Sequence, residues 1–264
     1  MVMGAGHEFK IVCEIEPPTR PDLMHVRHQI GVLSGIASAF LIPDNHIGRA
    51  TVSSVAVAHE VAQMGGQSIA CLNARDRNLL GLRRDLLTAA AYGVDQFLFV
   101  YGDRPSSGAR TGQLTVRSMI DELRAFPSMH ADLPSEPFRV GVAAGPGPLP
   151  SWKREADYLF AQVRFSLDEF LRWRSEVRFD GPVYAGVMVV PSVSMARKIS
   201  ADIDQLAVPE SWLDAIESDP DAGVRLACDL VISIKESGAF DGVHLIPVSK
   251  YRAVAAELEA RLGR

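Results

Sequence analysis

The chain carries carboxylates and amides where its short apolar runs end. Cys13-Glu14-Ile15-Glu16-Pro17-Pro18 closes the first run, with Glu14 and Glu16 alternating onto one face. A carboxyl turned into an apolar opening is costly to bury in its charged form, which suits a general acid; a solvated strand end is the plainer use of the same residues. Glu14, between apolar Cys13 and Ile15, is the better-placed acid. Tyr101-Gly102-Asp103-Arg104-Pro105 follows the fourth run. An anion there could stabilise a cation developing in a substrate, or Asp103 could be an ordinary turn residue.

After the third run, Leu72-Asn73-Ala74-Arg75-Asp76-Arg77-Asn78 is dense with donors and acceptors. Asp76 or Asn78 reads as a helix cap, and Arg75 and Arg77 as partners of nearby carboxylates. Gln162 interrupts the sixth run, and a buried amide there needs partners from a ligand or from neighbouring backbone. Lys250, after the last run, could meet an anionic ligand or stay solvated.

These positions need a scaffold that brings strand ends together. Apolar runs rich in β-branched residues recur at 9–15, 39–44, 68–73, 96–102, 139–145, 158–166, 183–190 and 242–248. Each is too short for a helix and continuous rather than alternating, the pattern of strands buried on both faces. Helical patterns lie between them at 22–37, 51–65, 78–92, 112–125, 167–178, 193–205 and 221–236, with 249–262 last. The alternation predicts an α/β fold, and eight units predict closure into a (β/α)8 TIM barrel forming one domain over 1–264, with an open doubly wound sheet as the alternative. The fifth connection, GPGPLPSWKREAD, is short and Pro-rich, holding only a short piece near 151–156. An extra helix, PESWLDAIES, precedes the seventh crossover. In such barrels the active site forms at the C-terminal strand ends, where every residue above falls.

Composition narrows the function. With 264 residues, 47% hydrophobic, the chain can bury a large core without disulfides. A net charge of −5 with interspersed signs argues against nucleic acid or an anionic membrane as partner. Cys13, Cys71 and Cys228 form no C-x-x-C pair, and no apolar run reaches membrane-spanning length, so reduced thiols in a cytoplasmic protein are expected. No Walker loop, zinc spacing or G-x-S-x-G occurs, and the seven histidines are scattered without metal-ligand spacing, so no metal is predicted.

Taken together, C-E-I-E-P-P at 13–18, L-N-A-R-D-R-N at 72–78, Y-G-D-R-P at 101–105, A-Q-V-R-F at 161–165 and V-V-P-S-V-S-M-A-R-K at 189–198 resemble the methylenetetrahydrofolate reductase family. The resemblance implies an enzyme that reduces a methylene group on tetrahydrofolate to methyl. It implies that Glu14 protonates the folate to open the methylene bridge to an iminium, and that Asp103 lies near the pterin and favours that cation. Gln162 would hydrogen-bond the pterin, Lys250 and Met195 would lie by the folate, and Asp44, Asn73, Tyr101, Gly102 and Ala144 would meet the hydride donor.

The chain departs from that family in three places. Cys71-Leu72-Asn73-Ala74 stands where members read L-T-C, Tyr101 replaces an arginine, and only Gly145 to Asp157 separates strands five and six, where members have a longer segment on the nucleotide part of FAD. This predicts a hydride donor other than tightly bound FAD: a 5-deazaflavin or NAD(P)H directly, with weakly held FAD as the remaining reading. The rival functions are a folate-dependent methyltransferase or demethylase and a non-catalytic folate-binding protein. Glu14 and Asp103 favour the reductase, because forming an iminium requires an acid.

Overall fold

A computed structural model describes residues 8–103, 111–129, 138–202 and 206–263. Eight parallel strands close into a barrel in sequence order: β1 (Lys10–Glu14), β2 (Ala39–Ile42), β3 (Ser68–Asn73), β4 (Gln96–Val100), β5 (Arg139–Ala144), β6 (Tyr158–Ala161), β7 (Val183–Met188) and β8 (Gly242–Ile246). The helices outside are α1 (Met24–Leu33), α2 (Ser54–Gln63), α3 (Leu79–Ala91), α4 (Val116–Met129), α5 (Leu167–Glu176), α6 (Val193–Asp202), α7 (Glu210–Ser218), α8 (Ala222–Ser237) and α9 (Tyr251–Leu262).

Strand residues alternate between two apolar layers, as a period of two requires. Val12, Leu41, Ile69, Cys71, Leu98, Tyr158, Phe160 and Tyr184 fill the lumen. Ile11, Cys13, Phe40, Leu72, Phe97 and Val140 face outward into the layer shared with the helices. Phe97 is fully buried there, and truncating it to Ala would cost about 3–5 kcal/mol. The lumen has polar closure as well: the Tyr158 hydroxyl donates 2.7 Å to the Phe97 carbonyl.

Closure rests on the β1–β8 seam, where Lys10 pairs with Gly242 and Val12 with His244. A Cβ on Gly242 would lie 2.1 Å from the Lys10 carbonyl oxygen, so only glycine lets the two strands meet. The helices are bounded by local chemistry. Asn78 caps α3 by accepting 2.8 Å from Gly81 N–H, as the cap reading of that run expected, and α8 ends at Gly238 in the left-handed region, φ 62°.

Several boundaries differ from the sequence pattern. The sixth run, 158–166, yields a strand only to Ala161, because Val163 and Phe165 are apolar for burial in the outer layer rather than for ladder pairing; Phe165 meets the Trp212 ring at 5.0 Å. Gln162 therefore lies just past the strand and half-buried, not within it. α4 runs from 116 to 129 rather than 112–125, carrying Pro127 in its last turn because buried Phe126 anchors that turn to the core. Of the helix expected at 193–205, the last three residues lie outside the described residues, as do Arg104, Pro105, His7 and His130.

Candidate active site

Glu14 ends β1 on the luminal side, two residues beyond inward-facing Val12. Its Oε2 lies 3.2 Å from Nε2 of His244 on β8, with the side chains 17% and 12% exposed. The approach is in ion-pair range but not aligned as a hydrogen bond, and His244 Nε2 has no hydrogen-bond partner. The imidazole stands edge-on to Phe160 at 5.4 Å, and Phe160 stacks on Tyr184 at 5.1 Å, so an aromatic wall from β6 and β7 fixes the ring. Burial pushes the Cys71 thiol well up, and the charges of Glu14 and Asp44 push it the same way, which places it beside both carboxylates as a neutral group.

The rim above β2–β4 is a buried charged network. Asp44 Oδ2 accepts from Asn73 backbone N–H at 3.0 Å and from Asn73 Nδ2 at 2.6 Å, and pairs with the Arg77 guanidinium. Arg77 also donates 2.8 Å to Asp85. Burial opposes the guanidinium charge, but Asp44 and Asp85 hold it above its ordinary value. Asp44 and Asn73, expected at the hydride donor, thus bind each other and brace the loop. Gly102, at φ +94°, passes so close to Asn73 that a Cβ would lie 2.8 Å from Asn73 Cβ.

Asp103 is exposed at this rim, its Oδ2 accepting 2.9 Å from Ile47 N–H in the turn after β2. Tyr101 is 46% exposed, with the Arg75 guanidinium 4.9 Å over its ring; Arg75 Nε is buried and makes no hydrogen bond. Beside Tyr101 a cavity of about 430 Å³ opens between the ends of β4 and β5, lined by Ala143, Trp152, Lys153 and Arg117 among others. Lys153 donates 2.6 Å to the Ala143 carbonyl and lies 5.5 Å over the Trp152 ring; burial lowers its pKa. Trp152 and Lys153 belong to the 3-10 turn Ser151–Glu155, all that the short fifth connection contains by way of helix. Ala144 is buried in the outer layer, and exposed Ala143 is the residue that faces this cavity. A second cavity, about 320 Å³ and lined by Arg164, Trp173 and Glu169 among others, lies off the mouth beside α5.

Gln162 is half-buried past β6; its side-chain amide makes no hydrogen bond among the described residues, while its backbone N–H donates 2.9 Å to Ala144. Lys250 is partly buried at the end of the turn after β8. Met195, in the first turn of α6, packs against the outer apolar layer rather than in the lumen. The structure thus gathers Glu14, Asp103, Tyr101 and Gln162 at the strand ends and sets Met195 and Ala144 in the outer layer.

His244 has no metal-ligand spacing in the sequence to single it out. The usable signal was a polar residue at an inward position of an otherwise apolar strand, GVHLI. Among the described residues no group of three or more His, Cys, Asp or Glu could hold a metal ion, and no helix is long and apolar enough to cross a membrane.

A family model described as Methylenetetrahydrofolate reductase matches residues 42–261. A curated relative, Methylenetetrahydrofolate reductase 2 of Saccharomyces cerevisiae, is 23% identical over 144 residues, which is 51% of this chain and 23% of that protein's length. Among solved structures, a protein from Clostridium thermocellum that binds two copies of 5-methyl-5,6,7,8-tetrahydrofolic acid superimposes with a TM-score of 0.64 at 13% identity over 97% of each chain. The tryptophan synthase alpha-subunit of Pyrococcus furiosus follows at 0.53, with 12% identity over 97% of this chain and 98% of its own. DmoA from Hyphomicrobium sulfonivorans gives 0.52, with 12% identity over 97% and 89%. At these identities the structural likeness is one of fold.

Proposed function

The chain belongs to the methylenetetrahydrofolate reductase family, and from that premise we propose that it reduces methylenetetrahydrofolate to methyltetrahydrofolate. The observation that carries the reading is Glu14, a half-buried carboxyl at the luminal end of β1 beside His244. The family match begins after β1, so the part given to Glu14 rests on this geometry and on the C-E-I-E-P-P resemblance. That the Clostridium neighbour binds a methylated folate supports a folate ligand.

In this reading the Glu14 O–H bond breaks as its proton passes to the folate nitrogen that leaves the methylene carbon. The C–N bond breaks, its electron pair stays on nitrogen, and an iminium remains. Asp103 supplies an anion on the rim near that cation, held by Ile47 N–H through Oδ2. Gln162 offers its unengaged amide to the pterin edge, and Lys250 its ammonium to the folate carboxylates. A bound donor supplies hydride to the methylene carbon, completing the methyl group.

Tyr101, Trp152, Lys153 and Arg117 fit a donor with a flat ring and an anionic tail: two aromatic faces and two cations border one slot. With a single 3-10 turn between β5 and β6, the slot suits a donor that docks for the transfer, NAD(P)H or a 5-deazaflavin, better than tightly held FAD. The test offers methylenetetrahydrofolate with NADH, NADPH, reduced FAD or a reduced 5-deazaflavin and assays methyltetrahydrofolate. Product with one of the four supports the reading; folate binding without product from any of them favours a folate-dependent methyltransferase or a binding protein.

A further inference from the structure

The β1–β8 register places His244 opposite Val12, one luminal layer below Glu14. An imidazole in that layer is otherwise out of place. It shares the lumen with the apolar cluster that includes Val12, Leu41, Ile69 and Leu98, and its ring meets Phe160, which in turn stacks on Tyr184. Burying a ring nitrogen among them without a partner costs free energy. Nε2 has no hydrogen bond in the structure, yet points to within 3.2 Å of Glu14 Oε2. A buried polar atom left unsatisfied in a native core calls for a reason, and the carboxyl above it supplies one.

We infer that His244 is a positioning residue for Glu14: its Nε2–H holds Oε2, fixes the carboxyl rotamer, and leaves Oε1 to face the ligand. The inference rests on the reductase reading for the chemistry of Glu14, but the contact itself does not. The other groups facing Glu14 fit the same division of labour. Cys71, from β3, is a neutral thiol kept protonated by burial, and Asp44, from the β2 rim, is already held by Asn73 and Arg77. Asp44 has no proton to give and Cys71 only the weak S–H donor of a thiol, so the stronger hold on Oε2 falls to His244. Once Oε1 has given its proton to the folate nitrogen, the same N–H meets the carboxylate that is left, and no atom need move far to receive it.

Two substitutions separate orientation from packing. His244→Phe keeps an aromatic ring against Phe160 and removes the nitrogen; His244→Gln restores an amide N–H near the place of Nε2. With the productive donor, His244→Phe should lower kcat by roughly 10- to 100-fold with KM for the folate within about three-fold, and His244→Gln should recover most of the loss. A Gln variant as impaired as the Phe variant, or a KM effect with kcat intact, overturns the inference. The second measurement needs no turnover and no substitution of His244: the imidazole ¹⁵N resonances of wild type and Glu14→Gln are compared at one pH. The Nε2 resonance should shift when the carboxylate is replaced. A resonance that ignores Glu14→Gln overturns the positioning role alone; wild-type protein that binds folate but oxidises no donor overturns the reductase reading, and the catalytic role of His244 with it.

Discussion

Asp103 and Ile47, at opposite sides of the β3 rim, are joined by a 2.9 Å hydrogen bond from the Ile47 backbone N–H to Asp103 Oδ2. The bond fixes one oxygen of an exposed carboxylate. Asp103→Asn keeps an acceptor for Ile47 but removes the charge, so the account expects kcat to fall by about 10²-fold with the thermal midpoint unchanged. Steady-state kinetics alongside a melting curve checks this. An unaltered kcat would remove Asp103 from the mechanism.

Ile47 itself sits at φ +57°, a left-handed conformation that a β-branched residue adopts at a cost, and the residue is 62% exposed. Little burial opposes relief of that strain. Ile47→Asn should therefore raise stability by about 0.5–1 kcal/mol, seen as a higher urea midpoint at constant m. A lower midpoint would mean that Ile47 has packing the exposed position does not suggest.

Asp44 holds Asn73 and Arg77 at once, with its side chain 5% exposed and that of Arg77 12%. Asp44→Ala leaves a buried guanidinium and a buried amide short of their acceptor. The expected loss is about 3–5 kcal/mol, measured by chemical denaturation. A loss under about 1 kcal/mol would show that Asp85 alone satisfies Arg77.

The buried thiols make stability fall in alkali. Burial raises Cys228 from 9.0 to about 12 and pushes Cys13 and Cys71 up as well. Native thiols stay neutral while those of the unfolded chain ionise, so their contribution is full below pH 9 and is lost as pH rises from there towards the native values. The slope is about 1.4 kcal/mol per pH unit for each thiol. Denaturation midpoints measured from pH 8 to 10.5 should decline, and Cys228→Ala should make the decline shallower by one thiol's share.

The barrel was legible because its strands are short, largely apolar runs, most of them with β-branched residues, and burial on both faces is what a parallel barrel demands of its strands. The same signal overshot at 163–165, since apolarity reports burial and not hydrogen-bonded pairing. At the site, Glu14 and Asp103 were legible as polar residues just after apolar runs. Their partners were not: which carboxylate Arg77 meets, or which nitrogen lies under Glu14, depends on register between strands distant in sequence, such as β1 and β8. The bonds of Asp44 to Asn73 and Arg77, and the approach of His244 to Glu14, are therefore visible only in the folded chain.

In the proposed reaction Glu14 is the acid of a folate reduction. The most direct measurement of that role is the rate of methyltetrahydrofolate formation by wild type and Glu14→Gln with the productive donor, with folate affinity measured on both. The account predicts a loss of at least about 10²-fold in rate, with affinity within about three-fold. A variant that turns over at the wild-type rate would contradict it.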